Sequence, residues 1–202
     1  MYENLAKILL KEKLFPIIRS HDIGVVRDTA QALIDGGAKI FEINVENPGI
    51  YRVIEEMSDH ACICAGGIIT SMQAQTAIAA GAKILSSPIF QMNLVKISKD
   101  KQIPFIAGTS TANEAYNAWK ARIPIIKIFP ITAMGGVSYV QNILRPMPFL
   151  NIMPIGDVKL SEVKSYINAG AKAVGVGRDL TEGRTYTEIA ERVKKALEEL
   201  RD

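Results

Sequence analysis

Lys127 stands in the middle of RIPIIKIFP, residues 122–130, a run of Ile and Phe bounded by Pro124 and Pro130. Such a run reads as a buried strand, and desolvating an ammonium there costs several kcal/mol even after relaxation. On a strand, the Lys127 side chain shares a face with Ile125 and Phe129. By the same alternation Glu42 of KIFEINVE shares a face with Ile40 and Asn44, and Arg19 of FPIIRS shares one with Ile17. If these faces turn toward one interior, a lysine, a glutamate and an arginine meet near its mouth. A lysine and a carboxylate in apolar surroundings suit imine chemistry. The amine attacks a ketone, and the imine then serves as an electron sink for a carbon–carbon bond beside it. An imine-forming lysine must be partly neutral, and desolvation or a neighbouring cation favours that state. Arg19 is the candidate cation, or the holder of a substrate carboxylate through its planar fork. Glu42 is the candidate proton shuttle. It must stand near enough to act without locking the amine into a tight ion pair. A structural Lys–Glu pair filling a polar layer is the simpler alternative, and pattern alone does not separate the two.

The elements that position these residues are regular. Eight β-rich runs recur: LFPIIRS, KIFEINVE, ACICAGG, AKILSSP, IPFIAGT, IPIIKIFP, LNIMPIGD and KAVGVGR. Their spacing leaves room for a helix and two short loops between strands. Helical patterns lie between them, as in DIGVVRDTAQALIDGG, SMQAQTAIAAGA, TANEAYNAWKAR and KLSEVKSYINAGA. Several stop at glycine, as expected past a last helical turn: Gly36-Gly37, Gly81 and Gly170. Eight strand–helix units allow an open doubly wound sheet or a closed (β/α)₈ barrel. Even spacing and the absence of a dinucleotide-type glycine fingerprint favour the barrel, as a single α/β domain over residues 1–202. YENLAKILLKEK at the N-terminus reads as an extra amphipathic helix closing the barrel bottom. Barrel chemistry sits at the C-terminal ends of the strands. The polar candidates there are Arg19, Glu42, Asn44, Glu46, Lys127, Asp157 and Arg178, with Ser86, Ser87 and Thr109 as smaller groups.

Composition excludes several classes. Lys and Arg number 24 and Asp and Glu 21, a net charge of +3. The charges are interspersed, as in ERVKKALEELRD, which argues against a nucleic-acid surface. Cys62 and Cys64 alternate on an apolar run, badly placed for a disulfide with each other, and read as buried thiols. His21 and His60 are the two histidines, too few and too scattered for a metal site. No secretory pattern and no membrane-length apolar run is present, so the cytoplasm is the expected location.

The landmarks, in order, resemble those of the 2-keto-3-deoxy-6-phosphogluconate (KDPG) and 2-keto-4-hydroxyglutarate (KHG) aldolase family over nearly the whole chain. PIIR is similar to its first-strand segment and GGAKIFEIN to its Gly-Gly-…-Glu-x-Thr segment. CAGGIIT resembles its Gly-Ala-Gly-Thr turn, AGAKILSSP its Ser-Pro strand ending, and IPFIAGTSTANE its Pro-Gly-x-x-Thr-x-x-Glu segment. IKIFP resembles Lys-x-Phe-Pro, and MPIGDVKLSEVKSYINAGAKAVGVG the last two strands. The resemblance implies a (β/α)₈ homotrimer acting on a small 2-keto acid, with no metal or organic cofactor. It implies Lys127 as the Schiff-base lysine and Glu42 as the general acid/base. Carried over position by position, its substrate-binding set is Arg19, Asn44, Gly66, Pro88, Phe129, Gly156, Gly177 and Arg178.

The departures are specific. Gly67 stands where the family turn has Thr, Asn44 where the Glu-x-Thr segment has Thr, and Glu46 where an Arg or Thr contributes to substrate binding. The Thr-Gly-Gly turn after strand seven is Ile155, Gly156 and Asp157, and the serine after the final GVG is Arg178. Those two turns form the family's phosphate site. Asp157 repels a phosphate, whereas Arg178 attracts one or pairs with Asp157. The imine machinery thus looks retained and the substrate pocket rewritten. Two other classes stay open on sequence: a sugar-acid isomerase or epimerase using Glu42 and Lys127 for proton transfer, and a non-catalytic homologue whose pocket is closed by Glu46, Ile155 and Asp157. Met134, Tyr139, Met147 and Phe149 are candidates for a subunit contact.

Overall fold

A computed structural model describes residue 8 and residues 11–201. Eight parallel strands form one sheet in the order β7-β6-β5-β4-β3-β2-β1-β8. They are β1 Leu14–Ile18, β2 Ile40–Asn44, β3 Cys62–Gly66, β4 Ile84–Ser87, β5 Phe105–Thr109, β6 Ile125–Ile128, β7 Ile152–Pro154 and β8 Val174–Val176. Each falls within one of the eight runs read from the sequence. The ladder is open only between β7 and β8, where Lys172 N–H still donates to the Ile152 carbonyl at 2.9 Å. The sheet is therefore a nearly closed (β/α)₈ barrel.

The helices are α1 Ile23–Asp35, α2 Ile50–Met57, α3 Ser71–Ala79, α4 Met92–Asp100, α5 Ala112–Lys120, α6 Gly136–Leu144, α7 Val163–Asn168, α8 Arg178–Thr181 and α9 Tyr186–Arg201. Their starts are set locally. Asp22 caps α1 by accepting from Val25 N–H, while Thr70 with Gln73 and Thr111 with Glu114 form capping boxes for α3 and α5. α1 ends as the Gly36-Gly37 pair predicts: Gly37 takes φ +91°, and Ala38 N–H returns to the Leu33 carbonyl at 2.9 Å. The expected N-terminal helix is corrected in its placement. Among the described residues the additional helix follows β8, where the short α8 precedes α9. The N-terminal segment 2–13 lies largely outside the described residues. No helix among them is long and apolar enough to cross a membrane.

Strand alternation divides the apolar side chains into two cores. Leu14, Ile18, Phe41, Ile43, Ile63, Leu85, Phe105, Ile126 and Ile128 pack outward against the helices. Each fully buried side chain of this size contributes about 1.5–3 kcal/mol by leaving water. Phe15, Ile17, Ile40, Cys64, Ile84, Ile106, Ile125, Met153, Ile155 and Ala173 fill the barrel interior, with Phe129 packed against them. Glu42, Ser86 and Lys127 follow Ile40, Ile84 and Ile125 by two residues, so the same alternation turns them inward above this apolar floor.

Candidate active site

The interior carries a buried ion pair. Lys127 Nζ donates to Ser86 Oγ at 2.9 Å and lies 3.4 Å from Glu42 Oε1. The side chains of Lys127 and Glu42 are 6% and 1% exposed. The lysine is therefore held mainly by a neutral hydroxyl, and its carboxylate contact is long for a charge-assisted hydrogen bond. This meets the condition drawn from the sequence, a carboxylate within reach without a tight ion pair. Glu42 Oε2 is buried and has no hydrogen-bond partner among the described residues. Leaving such an acceptor unpaired costs about 1–3 kcal/mol, and more for a charged group. In a folded protein such an atom calls for a reason, and a catalytic role is one.

Neighbouring strands make room for this pair. A Cβ at Gly66 would lie 2.5 Å from Glu42 Cδ and Cγ, so the carboxylate rests on a bare strand position and would have to shift if a side chain were added there. Gly108, the register partner of Lys127, is similarly fixed, since a Cβ there would collide with the Pro88 carbonyl. Gly67 has φ +72°, and a Cβ on it would sit 3.2 Å from Asn44 Oδ1. The two departures at 44 and 67 thus compensate, the carboxamide lying where a larger residue at 67 would project.

The backbone around the lysine is pinned. Thr109 Oγ1 donates to the Lys127 carbonyl at 3.2 Å, and Ser110 Oγ donates to the Phe129 carbonyl at 2.7 Å. Tyr139 OH in turn donates to the Ser110 carbonyl at 2.6 Å. Tyr139 is half-buried by this role, and Met134 and Met147 are half-buried too; of the four candidate contact residues, Phe149 is the exposed one. Cys64, opposite Glu42 in the ladder, is fully buried, and burial followed by the Glu42 charge pushes its thiol well above the ordinary range. It is an inert packing group.

The rim is charged but internally paired. Arg19 does not join the lysine pair as the face argument anticipated. Its side chain is 70% exposed, and its Nε donates to Glu46 Oε1 at 2.8 Å. His21 lies 3.7 Å from the other Glu46 oxygen. Across the mouth, Arg178 donates to Asp157, the pairing the sequence left open against phosphate attraction. Asp157 and Gly156 occupy the left-handed region at φ +54° and +116°, and Thr132 Oγ1 secures the Gly156 carbonyl at 2.6 Å. Ile155 is directed inward: a Cβ on Gly175 would come 2.8 Å from its Cδ1. Gly177 backs onto the Ile17 carbonyl, where a Cβ would sit at 3.5 Å. A groove of about 370 Å³ lined by Lys159, Lys164, Arg192 and Lys195 lies elsewhere and shares no residue with the barrel interior.

Ser86 is the residue that sequence reasoning undervalued. It stood among the small polar groups, and only the parity set by Ile84 marks it as inward-facing while Ser87 turns out to bond Ile89 N–H.

Comparison with known proteins identifies the family. The family model described as "KDPG and KHG aldolase" matches residues 5–195. A 2-dehydro-3-deoxy-phosphogluconate aldolase from Treponema pallidum is 28% identical over 163 residues, covering 79% of this chain and 77% of that protein. The KHG/KDPG aldolase of Escherichia coli K12 is 26% identical over 199 residues, covering 95% and 93%. The KDPG aldolase structure from Legionella pneumophila, with pyruvate captured as a covalent carbinolamine intermediate, superimposes with a TM-score of 0.85 at 21% identity, over 95% of this chain and 97% of that one. The chain belongs to the KDPG and KHG aldolase family.

Proposed function

We propose that this chain is a class I aldolase that cleaves a 2-keto-3-deoxy or 2-keto-4-hydroxy acid to pyruvate and an aldehyde. The observation that carries the reading is the buried Lys127, bonded to Ser86 and 3.4 Å from a Glu42 whose second oxygen has no partner among the described residues. The names of the relatives support it. Neutral Lys127 Nζ adds to the C2 ketone, and loss of water from the carbinolamine gives the imine. Glu42 carries the protons of that dehydration. It next takes the proton of the C4 hydroxyl as the C3–C4 bond breaks, the electron pair moves into the imine, and the aldehyde leaves. The enamine then takes a proton at C3, and water releases pyruvate and restores the amine.

Ser86 Oγ orients the amine, and Phe129 covers the imine against bulk water. Arg19 binds the substrate carboxylate with its terminal amino groups while Glu46 holds its Nε. Asn44, Gly66, Pro88, Gly156, Gly177 and Arg178 line the path from floor to rim. The working unit is a homotrimer in the cytoplasm. The trimer is supported by the exposed aromatic stack of Tyr116, Trp119 and Phe149, a surface that fits a subunit contact; light scattering on the purified protein tests it.

The test of the activity is pyruvate release from such acids by the parent protein and by Lys127→Ala and Lys127→Arg. Guanidinium keeps the charge but cannot deprotonate to form an imine. Both variants, folded by circular dichroism, should be inactive. An active Lys127→Arg protein would remove the imine from the account.

A further inference from the structure

The barrel rim points to the kind of substrate tail that fits. In (β/α)₈ enzymes the loops after strands seven and eight often hold a phosphate. Here the loop after β7 places a carboxylate at that location, fixed by its backbone: Gly156 cannot carry a side chain, because a Cβ would meet Pro130 Cα at 2.9 Å, and Thr132 clamps its carbonyl. Asp157 follows in a left-handed conformation that L residues rarely adopt, and Arg178 from the β8 side closes on it. The side chains of this pair remain 68% and 62% exposed, within reach of a substrate's far end. The other rim arginine, Arg19, meets Glu46 through Nε, whereas Arg178 gives a terminal amino nitrogen to Asp157. A terminal guanidinium nitrogen of Arg178 is thus already taken by a carboxylate, and Ile155 takes up interior space beneath Asp157.

A phosphate dianion entering this rim meets the Asp157 charge and competes with it for Arg178. A terminal hydroxyl meets no repulsion. It donates to Asp157 and accepts from Arg178, and the ion pair stays intact. We propose that Asp157, paired with Arg178, is a specificity-determining residue that selects uncharged polyhydroxylated tails over phosphorylated ones. The natural substrate class is then a 2-keto-3-deoxy sugar acid without a phosphate. This rests on the aldolase reading above and narrows it.

The experiment measures kcat/KM of the full chain for 2-keto-3-deoxygluconate and for its 6-phosphate, with parent, Asp157→Gly and Asp157→Asn. Asparagine tolerates the left-handed backbone and keeps a hydrogen-bonding group while removing the charge. The parent should prefer the unphosphorylated acid by at least about tenfold, the scale of one like charge at a partly exposed site. Both variants should move the ratio toward the phosphate by a similar factor, and rising salt should shrink the parent's preference. A parent that prefers the phosphate, or a ratio unmoved in both variants, overturns the assignment. So does a parent that cleaves neither acid while borohydride still traps pyruvate on Lys127. Absence of both cleavage and adduct defeats the aldolase reading itself, and this proposal with it.

Discussion

Replacing Gly66 with alanine attacks the proposed catalytic pair without touching either member. The new Cβ would stand 2.5 Å from Glu42 Cγ and Cδ, whereas ordinary contact begins near 3.4 Å. The carboxylate must therefore retreat by about 1 Å. Glu42 Oε1 starts 3.4 Å from Lys127 Nζ, already at the edge of a hydrogen bond, and the retreat breaks the contact or misdirects it. A displacement of about 1 Å in a catalytic constellation costs on the order of 100-fold. This lies within the roughly 10²–10⁴-fold that a positioned acid/base group supplies. Overpacking should cost about 1–3 kcal/mol of stability, leaving a folded protein. The assay is steady-state pyruvate release, with urea unfolding as the control. Adding Glu42→Asp, which shortens the side chain by one methylene, should recover part of the loss. A Gly66→Ala protein within about threefold of parent activity would show that the Glu42 position carries no proton-transfer role.

Ser86→Ala removes the shortest bond to the Lys127 amine and should lower kcat/KM about 10- to 100-fold, the scale of a hydrogen bond to a charged group, with the pyruvate adduct forming more slowly. Lys127→Met strands a buried Glu42 carboxylate and should destabilise by about 3 kcal/mol; adding Glu42→Gln should recover much of that in urea unfolding. The Glu114 carboxyl is held below its ordinary range by the N–H groups of Ser110 and Thr111, the first being the larger cause. A depressed folded value gives stability that is present above the unfolded pKa near about 4.3 and lost as pH falls through the folded one. Parent and Glu114→Gln should therefore differ in urea midpoint at neutral pH and converge in acid. Cys64 should resist iodoacetamide in the native state and react once the protein is unfolded.

The barrel was legible because its strands and helix stops follow local rules. The isoleucine runs and the glycines after α1, α3 and α7 lie where alternation and left-handed caps require. The meeting of Lys127 and Glu42 was legible for the same reason, since parity alone turns both toward one interior. Features set by contacts between loops were not legible. Arg19 and Glu46 sit on separate turns after β1 and β2, and only the fold shows them in contact. Gly66 reads as part of a glycine turn, yet its reason is the carboxylate resting on it from the next strand. LNIMPIGD reads as a long run, but β7 pairs only over Ile152–Pro154. Pro154 has no N–H to donate, and Gly156 begins the turn.

Covalent attachment of substrate to Lys127 is what separates an imine-forming lysine from a structural one. Incubating the protein with pyruvate, adding borohydride, and mapping the mass increase to a peptide reads that attachment out. A reduced pyruvyl adduct should appear on Lys127, and none in Lys127→Arg. A folded protein that gains no adduct, or gains it on another lysine, would contradict that attachment and leave Lys127 as a structural or proton-transfer residue.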